Sequence, residues 1–231
     1  MECIILAGGL GTRLKNAIGD YPKCMAAVNE RPFLHYIFQY LEEQHCERVI
    51  LSLGYKHDIV TSWLQNEKFS FEVDFVIEDT PRGTGGGIQL ALQEAKSDMV
   101  AVLNGDTFFK IDLSRLFSFH KEKKATTSLA LKPMLQFDRY GAVHIDENDR
   151  ILAFEEKVFR EEGLINGGVY IISKKPFFEK SLPETFSFEK DYLEAFVGER
   201  QFYGQRNDAY FIDIGIPEDY AKAQLDFLKL L

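Results

Sequence analysis

The sequence predicts an α/β fold, with a parallel sheet in its first half and a more irregular second lobe. Three observations carry that expectation. Short continuous apolar runs alternate with segments of helical period, and glycine-rich turns separate several runs from the helices that follow. The chain has 231 residues, 45% hydrophobic and 27% charged, which is globular composition with enough length for a sizeable core.

Taken in order, Cys3–Ala7 is a continuous apolar run ending in Gly8-Gly9, the pattern of a buried strand feeding a loop. Pro32 opens a helix to about Gln44, with Phe33, Leu34, Ile37, Phe38 and Leu41 at helical spacing. Tyr36 and Tyr40 add a second apolar face, so this helix either packs inside on more than one side or forms a homodimer contact. Strand patterns at 48–53, 71–77 and 99–103 alternate with helical ones at 57–65 and 86–95. Asp112 is placed to cap a helix running to about Lys123, and 126–131 reads as the next strand. This β-α-β-α order implies parallel strands. Beyond it, 141–145, 151–154 and 168–172 read as strands separated by turn residues. A helix at 188–196, a strand at 210–212 and a last helix opened by Pro217 complete the chain. With no repeat, linker or low-complexity tract, one domain over 1–231 is expected.

The charge balance excludes some function classes. There are 27 Lys and Arg against 36 Asp and Glu, a net charge of −9, which disfavours nucleic acid and anionic membranes as partners. Cys3, Cys24 and Cys46 are too few and too scattered for a disulfide framework or a Cys-x-x-Cys site. No run approaches the ~18 apolar residues of a membrane span, and the start, with acidic Glu2, is unlike a secretory leader. The expected location is the cytoplasm.

Leu6-Ala7-Gly8-Gly9-Leu10-Gly11-Thr12-Arg13-Leu14 lies directly after the first strand. Glycines there let backbone N–H groups close on phosphate oxygens. The third glycine of a dinucleotide fingerprint is missing, because position 14 is Leu, and no Gly-Lys-Ser/Thr follows. Thr12 and Arg13 instead supply a hydroxyl and a bidentate cation. Downstream, Pro22 restrains the backbone before Lys23, a second candidate phosphate cation. A second glycine-rich segment, Gly83-Thr84-Gly85-Gly86-Gly87, again joins a strand to a helix. Two such loops at the carboxyl edge of one sheet suit a nucleotide, although one of these glycines could serve only close helix–sheet packing. Asp106 and Asp213 follow strand patterns at the same edge. Each alone reads as a turn or cap residue; together, beside phosphate loops, they suit Mg2+, which takes one or two carboxylates plus substrate phosphates.

The ordered set Ala7–Leu14, Pro22-Lys23, Gly83–Gly86, Asn104-Gly105-Asp106, Glu156-Lys157 and Asp213-Ile214-Gly215 resembles the sugar-phosphate nucleotidyltransferase family over nearly the whole chain. Further stretches, 103–109, 137–141, 163–170 and 210–220, resemble most the heptose 1-phosphate guanylyltransferases within it. The resemblance implies a three-layer Rossmann-like fold with a mixed, mostly parallel sheet. It implies a nucleoside triphosphate, GTP, and a sugar 1-phosphate as substrates, with a nucleotide sugar and pyrophosphate as products. The nucleotide part would be about 1–110 and the sugar-phosphate part about 111–231.

Carried over position by position, the implied nucleotide set is Leu6, Ala7, Gly8, Gly9, Gly11, Thr12, Arg13, Lys23, Gly83 and Thr84. Arg13, Lys23 and Asp106 would be catalytic, and Asp106 and Asp213 would bind Mg2+. Asn104, Tyr140, Gly141, Glu156, Lys157 and Asn166 would hold the sugar phosphate. Cys24 stands where the family has proline, which weakens the rigid-segment argument for Lys23. Glu78 ends the third strand, where an acceptor-only carboxylate could read the N–H donors of guanine. A uridylyl- or thymidylyltransferase, or a silent nucleotide-binding regulatory subunit, remains open at this point.

Overall fold

In the computed structural model, which describes residues 1–9, 14 and 19–230, seven strands form the central sheet. In sequence they are β1 (Glu2–Leu6), β4 (Arg48–Leu53), β5 (Glu72–Ile77), β6 (Met99–Asn104), β8 (Thr127–Phe137), β11 (Arg160–Ser173) and β12 (Phe202–Arg206). Their spatial order is β12-β8-β11-β6-β1-β4-β5. The run β6-β1-β4-β5 is parallel, as the alternating pattern predicts. β11 is inserted between β6 and β8 and runs antiparallel to both, which makes the sheet mixed. The remaining strands form two-stranded pairs: β2 (Ala27–Val28) with β3 (Arg31–Pro32), β7 (Thr107–Phe109) with β13 (Phe211–Asp213), and β9 (Val143–Ile145) with β10 (Ile151–Phe154).

The central strands are buried on both faces, and the period of two sorts their side chains between two cores. Cys3, Ile5, Val49, Leu51, Ala101 and Leu103 point one way. That face is covered by α1 (Phe33–Glu43), α2 (His57–Leu64), α4 (Leu113–Lys123) and α6 (Pro217–Leu230). Ile4, Ile50, Val100, Val102, Tyr170 and Ile172 point the other way, beneath α3 (Gly83–Glu94), α5 (Lys174–Phe178) and a π-helical turn at Phe188–Glu194. The result is three layers, helix on sheet on helix. Both tyrosines of α1 are buried: Tyr36 donates to Val28 O and Tyr40 to Ile111 O. The helix therefore packs inside, as the first of its two sequence readings holds.

Several ends differ from the sequence pattern. α3 begins at Gly83, three residues before the position expected, because Gly83 has φ +72° and the chain turns there against Phe186 O. All three glycines at 85–87 make room for packing, not one of them. A Cβ on Gly85 would lie 2.1 Å from the Phe186 ring, and one on Gly87 would lie 2.8 Å from Glu78 Oε1. The expected helix at 188–196 is present, but its first seven residues, Phe188–Glu194, are wound as a π-helical turn. Asp112 does cap α4, accepting from Arg115 N at 2.9 Å.

His120 on α4 is buried between two serines, with Nδ1 2.9 Å from Ser128 Oγ and Nε2 2.8 Å from Ser173 Oγ. Ser173 Oγ donates its proton to Ala125 O, so Nε2 donates to Ser173 and Nδ1 accepts from Ser128. The ring is held neutral, and burial lowers its pKa to about 4. The unfolded chain, at the ordinary ~6.5, takes this proton first as pH falls. The contribution to stability is therefore intact above about pH 6.5 and lost on the way down to about 4. Between pH 8 and 5 this one group should remove about 2 kcal/mol. Urea melts of the wild type and His120→Gln at the two pH values check this: the variant should lose less on acidification by about that amount. Identical pH dependence in both would assign the effect elsewhere.

Candidate active site

The parallel strands deliver their carboxyl ends to one edge, and two cavities open there. The first, of about 380 Å3, lies over the ends of β1, β4, β5 and β6. Leu6, Ala7, Gly8 and Gly9 form one side of it, and Glu78, Gly83 and Thr84 another. Asn104 and Asp106 close the third side, with Lys23 and Cys24 beside them. The second cavity, of about 350 Å3, is lined by Tyr140, Lys157, Asn166 and Asp213, together with Lys23 and Asn104. Lys23 and Asn104 thus belong to both and form the wall where the cavities meet. A third cavity of about 150 Å3 takes Gly141 and Glu156. Those two residues line it and not the second. Of the residues singled out in the sequence, Gly11, Thr12 and Arg13 lie outside the described residues.

Backbone hydrogen bonds fix the junction. Gly105 N donates to Leu6 O at 2.9 Å, tying the loop after β6 to the end of β1. Ile214 N donates to Asp106 O at 3.0 Å, bringing the end of β13 to the same loop. Lys23 begins a short 3-10 turn, Lys23–Met25, entered from Pro22 at φ −58°. Its ammonium donates to Asp106 Oδ2 at 2.8 Å. The lysine is held by that ion pair and by the turn, so Cys24 in the place of proline does not leave it unsupported. The Cys24 thiol packs inward with Sγ 3.8 Å from Ala7 O, and burial, then the Asp106 charge, pushes it up to about 12. It is a wall residue and stays protonated at neutral pH.

Asp213 Oδ1 accepts from Gly215 N at 2.8 Å. Burial, and after it the negative charge of Asp106, raise the Asp213 carboxyl above its ordinary range. Two carboxylates that repel one another across the junction are a donor set suited to a divalent cation, with phosphate oxygens completing the coordination. Among the described residues no cluster of three or more His, Cys, Asp or Glu could hold a metal by itself. A cation here would therefore depend on the substrates. No histidine lines either large cavity among the described residues.

Ser52, Arg139 and Glu189 lie in the site without a sequence signal that names them, whereas the sequence names Glu78 as a reader of the base. Ser52, next to last in β4, lines the first cavity, and its position near a strand's carboxyl end could have marked it. Glu78 accepts from Arg82 N at 2.8 Å and from Ser52 Oγ at 3.3 Å. Arg139 enters the second cavity and donates to Asp219 Oδ2 at 2.6 Å; it directly precedes Tyr140-Gly141, which could have drawn attention to it. Glu189, on the π-helical turn, lines the second and third cavities, and no motif marks it.

Comparison with known proteins identifies the family. Residues 2–229 match the nucleotidyl transferase family, and the chain belongs to that family. Within it, the chain is 50% identical to the D-glycero-alpha-D-manno-heptose 1-phosphate guanylyltransferase of Aneurinibacillus thermoaerophilus, over 97% of each chain. It is 47% identical to the enzyme of that name from Campylobacter jejuni, over 95% of this chain and 97% of the other. Among solved structures, HddC from Yersinia pseudotuberculosis complexed with GMP-PN superposes with a TM-score of 0.87 at 39% identity, covering 98% of this chain and 99% of that one. The mixed three-layer fold expected from the resemblance is the one observed.

Proposed function

We propose that this chain transfers a guanylyl group from GTP to D-glycero-α-D-manno-heptose 1-phosphate, releasing pyrophosphate. The observation that carries the reading is the junction of two cavities at Lys23 and Asn104, with Asp106 on one side and Asp213 on the other. One cavity suits the nucleotide and the other the sugar phosphate, so the reacting phosphates meet beside Lys23. The named relatives and the GMP-PN complex support guanine as the base and heptose as the sugar. On this reading the chain works as one catalytic domain in the cytoplasm. Its nucleotide cavity draws on residues 6–106, and its sugar cavity mostly on residues 104–216.

The nucleophile is a phosphate oxygen of the sugar 1-phosphate, already anionic at neutral pH. No general base is needed, in keeping with cavities whose described linings lack histidine. The obstacle is repulsion between two polyanions, which positioning and charge neutralisation overcome. Lys23 places a cation at the junction, on the α-phosphate. The loop at Gly8-Gly9 presents backbone N–H groups to the other phosphates, the Ala7 N–H being bonded to Ser52 O. Glu78 reads the base, and Lys157 holds the sugar phosphate. Asn104, Tyr140 and Asn166 position the sugar, with Gly141 and Glu156 at its far end. Asp106 and Asp213 are the residues that would hold Mg2+. When bound, that cation neutralises phosphate charge and lowers the barrier to bringing the anions together.

Pyrophosphate release, measured over GTP, UTP, dTTP and CTP against heptose, mannose and glucose 1-phosphates, tests the reading. Turnover should be greatest with GTP and the heptose 1-phosphate. Turnover confined to UTP or dTTP would overturn the base, and release with hexose phosphates alone would overturn the sugar.

A further inference from the structure

The sugar-side cavity does not end at the sugar ring. The third cavity, of about 150 Å3, shares Tyr140, Lys157, Asn166 and Glu189 with it. Lys23, Asn104 and Asp213, which mark the reacting end, line the second cavity and not the third. The third therefore opens away from the nucleotide side, with Lys157 on the wall it shares with the second cavity. Its floor is apolar, built from Ala142, Val143 and Phe154 around the β9–β10 pair. Apolar floor and polar rim together match a carbinol, which has a C–H face and a hydroxyl to place.

Glu189 stands on the boundary between the two cavities, and its position is fixed from behind. The preceding Phe188 is buried, with its ring centroid 5.0 Å from that of Tyr170 and 5.1 Å from that of Tyr192. Phe188 N donates to Thr84 Oγ1 at 2.9 Å, which anchors the turn to the start of α3. Several polar groups around Glu189 are already paired, while the carboxylates of Glu156 and Glu194 also line the third cavity. Asn166 Oδ1 accepts from Gly168 N at 3.1 Å, while its Nδ2 donates to Tyr170 OH at 2.9 Å. The Glu155 carboxylate is occupied by Arg160 and by His144 Nε2. The Glu189 carboxylate meets Asn166 Nδ2 at 3.5 Å, the outer limit of a hydrogen bond, and so keeps most of its capacity to accept.

We propose that this third cavity is the subsite for the exocyclic arm of the sugar, and that Glu189 accepts hydrogen bonds from its hydroxyls. Glu189 thereby selects a seven-carbon sugar phosphate over its six-carbon counterpart. The inference rests on the reading that the acceptor is a heptose 1-phosphate. A hexose phosphate of the same ring configuration fills the second cavity and leaves the third to water; the extra carbinol of a heptose reaches past Asn166 onto Ala142 and Val143.

The test compares kcat/KM for D-glycero-α-D-manno-heptose 1-phosphate and α-D-mannose 1-phosphate, with GTP, in the wild type, Glu189→Gln and Glu189→Ala. A charged acceptor lost from a hydroxyl should lower heptose kcat/KM by about 10- to 100-fold. Mannose 1-phosphate should fall by less than about threefold, so the preference collapses. Ala142→Leu, which fills the floor, should produce the same collapse through sterics and serves should the Glu189 variants fold poorly. Retained stabilisation by GTP in a thermal melt establishes that each variant is folded. An equal loss on both sugars, or an unmoved preference, would overturn the subsite while leaving the enzyme's proposed reaction in place. If the wild type turns over neither sugar phosphate, the proposed reaction fails and this inference with it.

Discussion

Asp213→Asn should abolish turnover, lowering kcat by at least about 10³-fold while weakening GTP binding less than about tenfold. The substitution keeps the side chain's size and leaves an oxygen for the Gly215 N–H, which now reaches Asp213 Oδ1 at 2.8 Å. What it removes is one of two negative charges at the cavity junction. The affected step is the approach of the sugar phosphate to the α-phosphate, because Asp213 lines the second cavity and not the first. Asp106→Asn should cost as much turnover and more GTP affinity, since Asp106 lines the nucleotide cavity and pairs with Lys23. Steady-state pyrophosphate release and calorimetric GTP titration separate the two effects. Near-normal turnover in either variant would remove the metal assignment, and lost GTP binding with Asp213→Asn would place that residue in the nucleotide site.

The half of the fold that the sequence made legible is the half where burial is complete. β1, β4 and β6 carry apolar residues on both faces, so each reads as a continuous run, and glycine-rich turns mark where it ends. β12 carries no strand pattern, because Phe-Tyr-Gly-Gln-Arg is short, polar at its end and broken by Gly204, which abuts the Leu131 side chain. The sequence pattern limits β11 to 168–172 because Asn166-Gly167-Gly168 looks like a turn. Those residues are instead a register shift inside a strand of 14 residues, with Gly168 at φ +71° packed against Asn104. Nor does periodicity name neighbours. It identifies β11 as a strand and is silent on its insertion, antiparallel, beside β6.

The site divides along the same line. Gly8, Gly9 and Asp106 follow strand ends and Gly83 and Thr84 open the helix after β5, so chain order and the parallel-sheet rule already place them at one edge, with Lys23 in the turn that follows the first loop. The sugar side comes from the irregular half, where Tyr140, Lys157 and Asn166 were marked by resemblance and not by pattern. Glu189 had neither: an acidic residue on a π-helical turn reads as solvated surface until the fold lays it across the mouth of a cavity.

Lys23→Met should lower kcat by about 10²- to 10³-fold, with GTP binding weakened less than about tenfold. Lys23 is the one cation among the described residues that lines both large cavities; Lys157 lines the second and third. Its position at their shared wall makes its charge count most when both phosphates are present. In this structure the ammonium is paired with Asp106, 2.8 Å away, so it is held in place before substrate arrives and need not be ordered at the moment of reaction. A methionine keeps the length and the apolar stem and deletes only the charge. Lys23→Arg restores the charge but offers a wider, planar group to a half-buried slot beside Gly215, where an added Cβ would lie 3.4 Å from Lys23 Nζ. It should recover only part of the loss. Single-turnover and steady-state measurements with GTP and sugar phosphate distinguish a slowed chemical step from weakened binding. Should Lys23→Met retain kcat within threefold and lose only GTP affinity, the lysine would be a nucleotide anchor, and the cation acting at the junction would have to come from elsewhere in the chain.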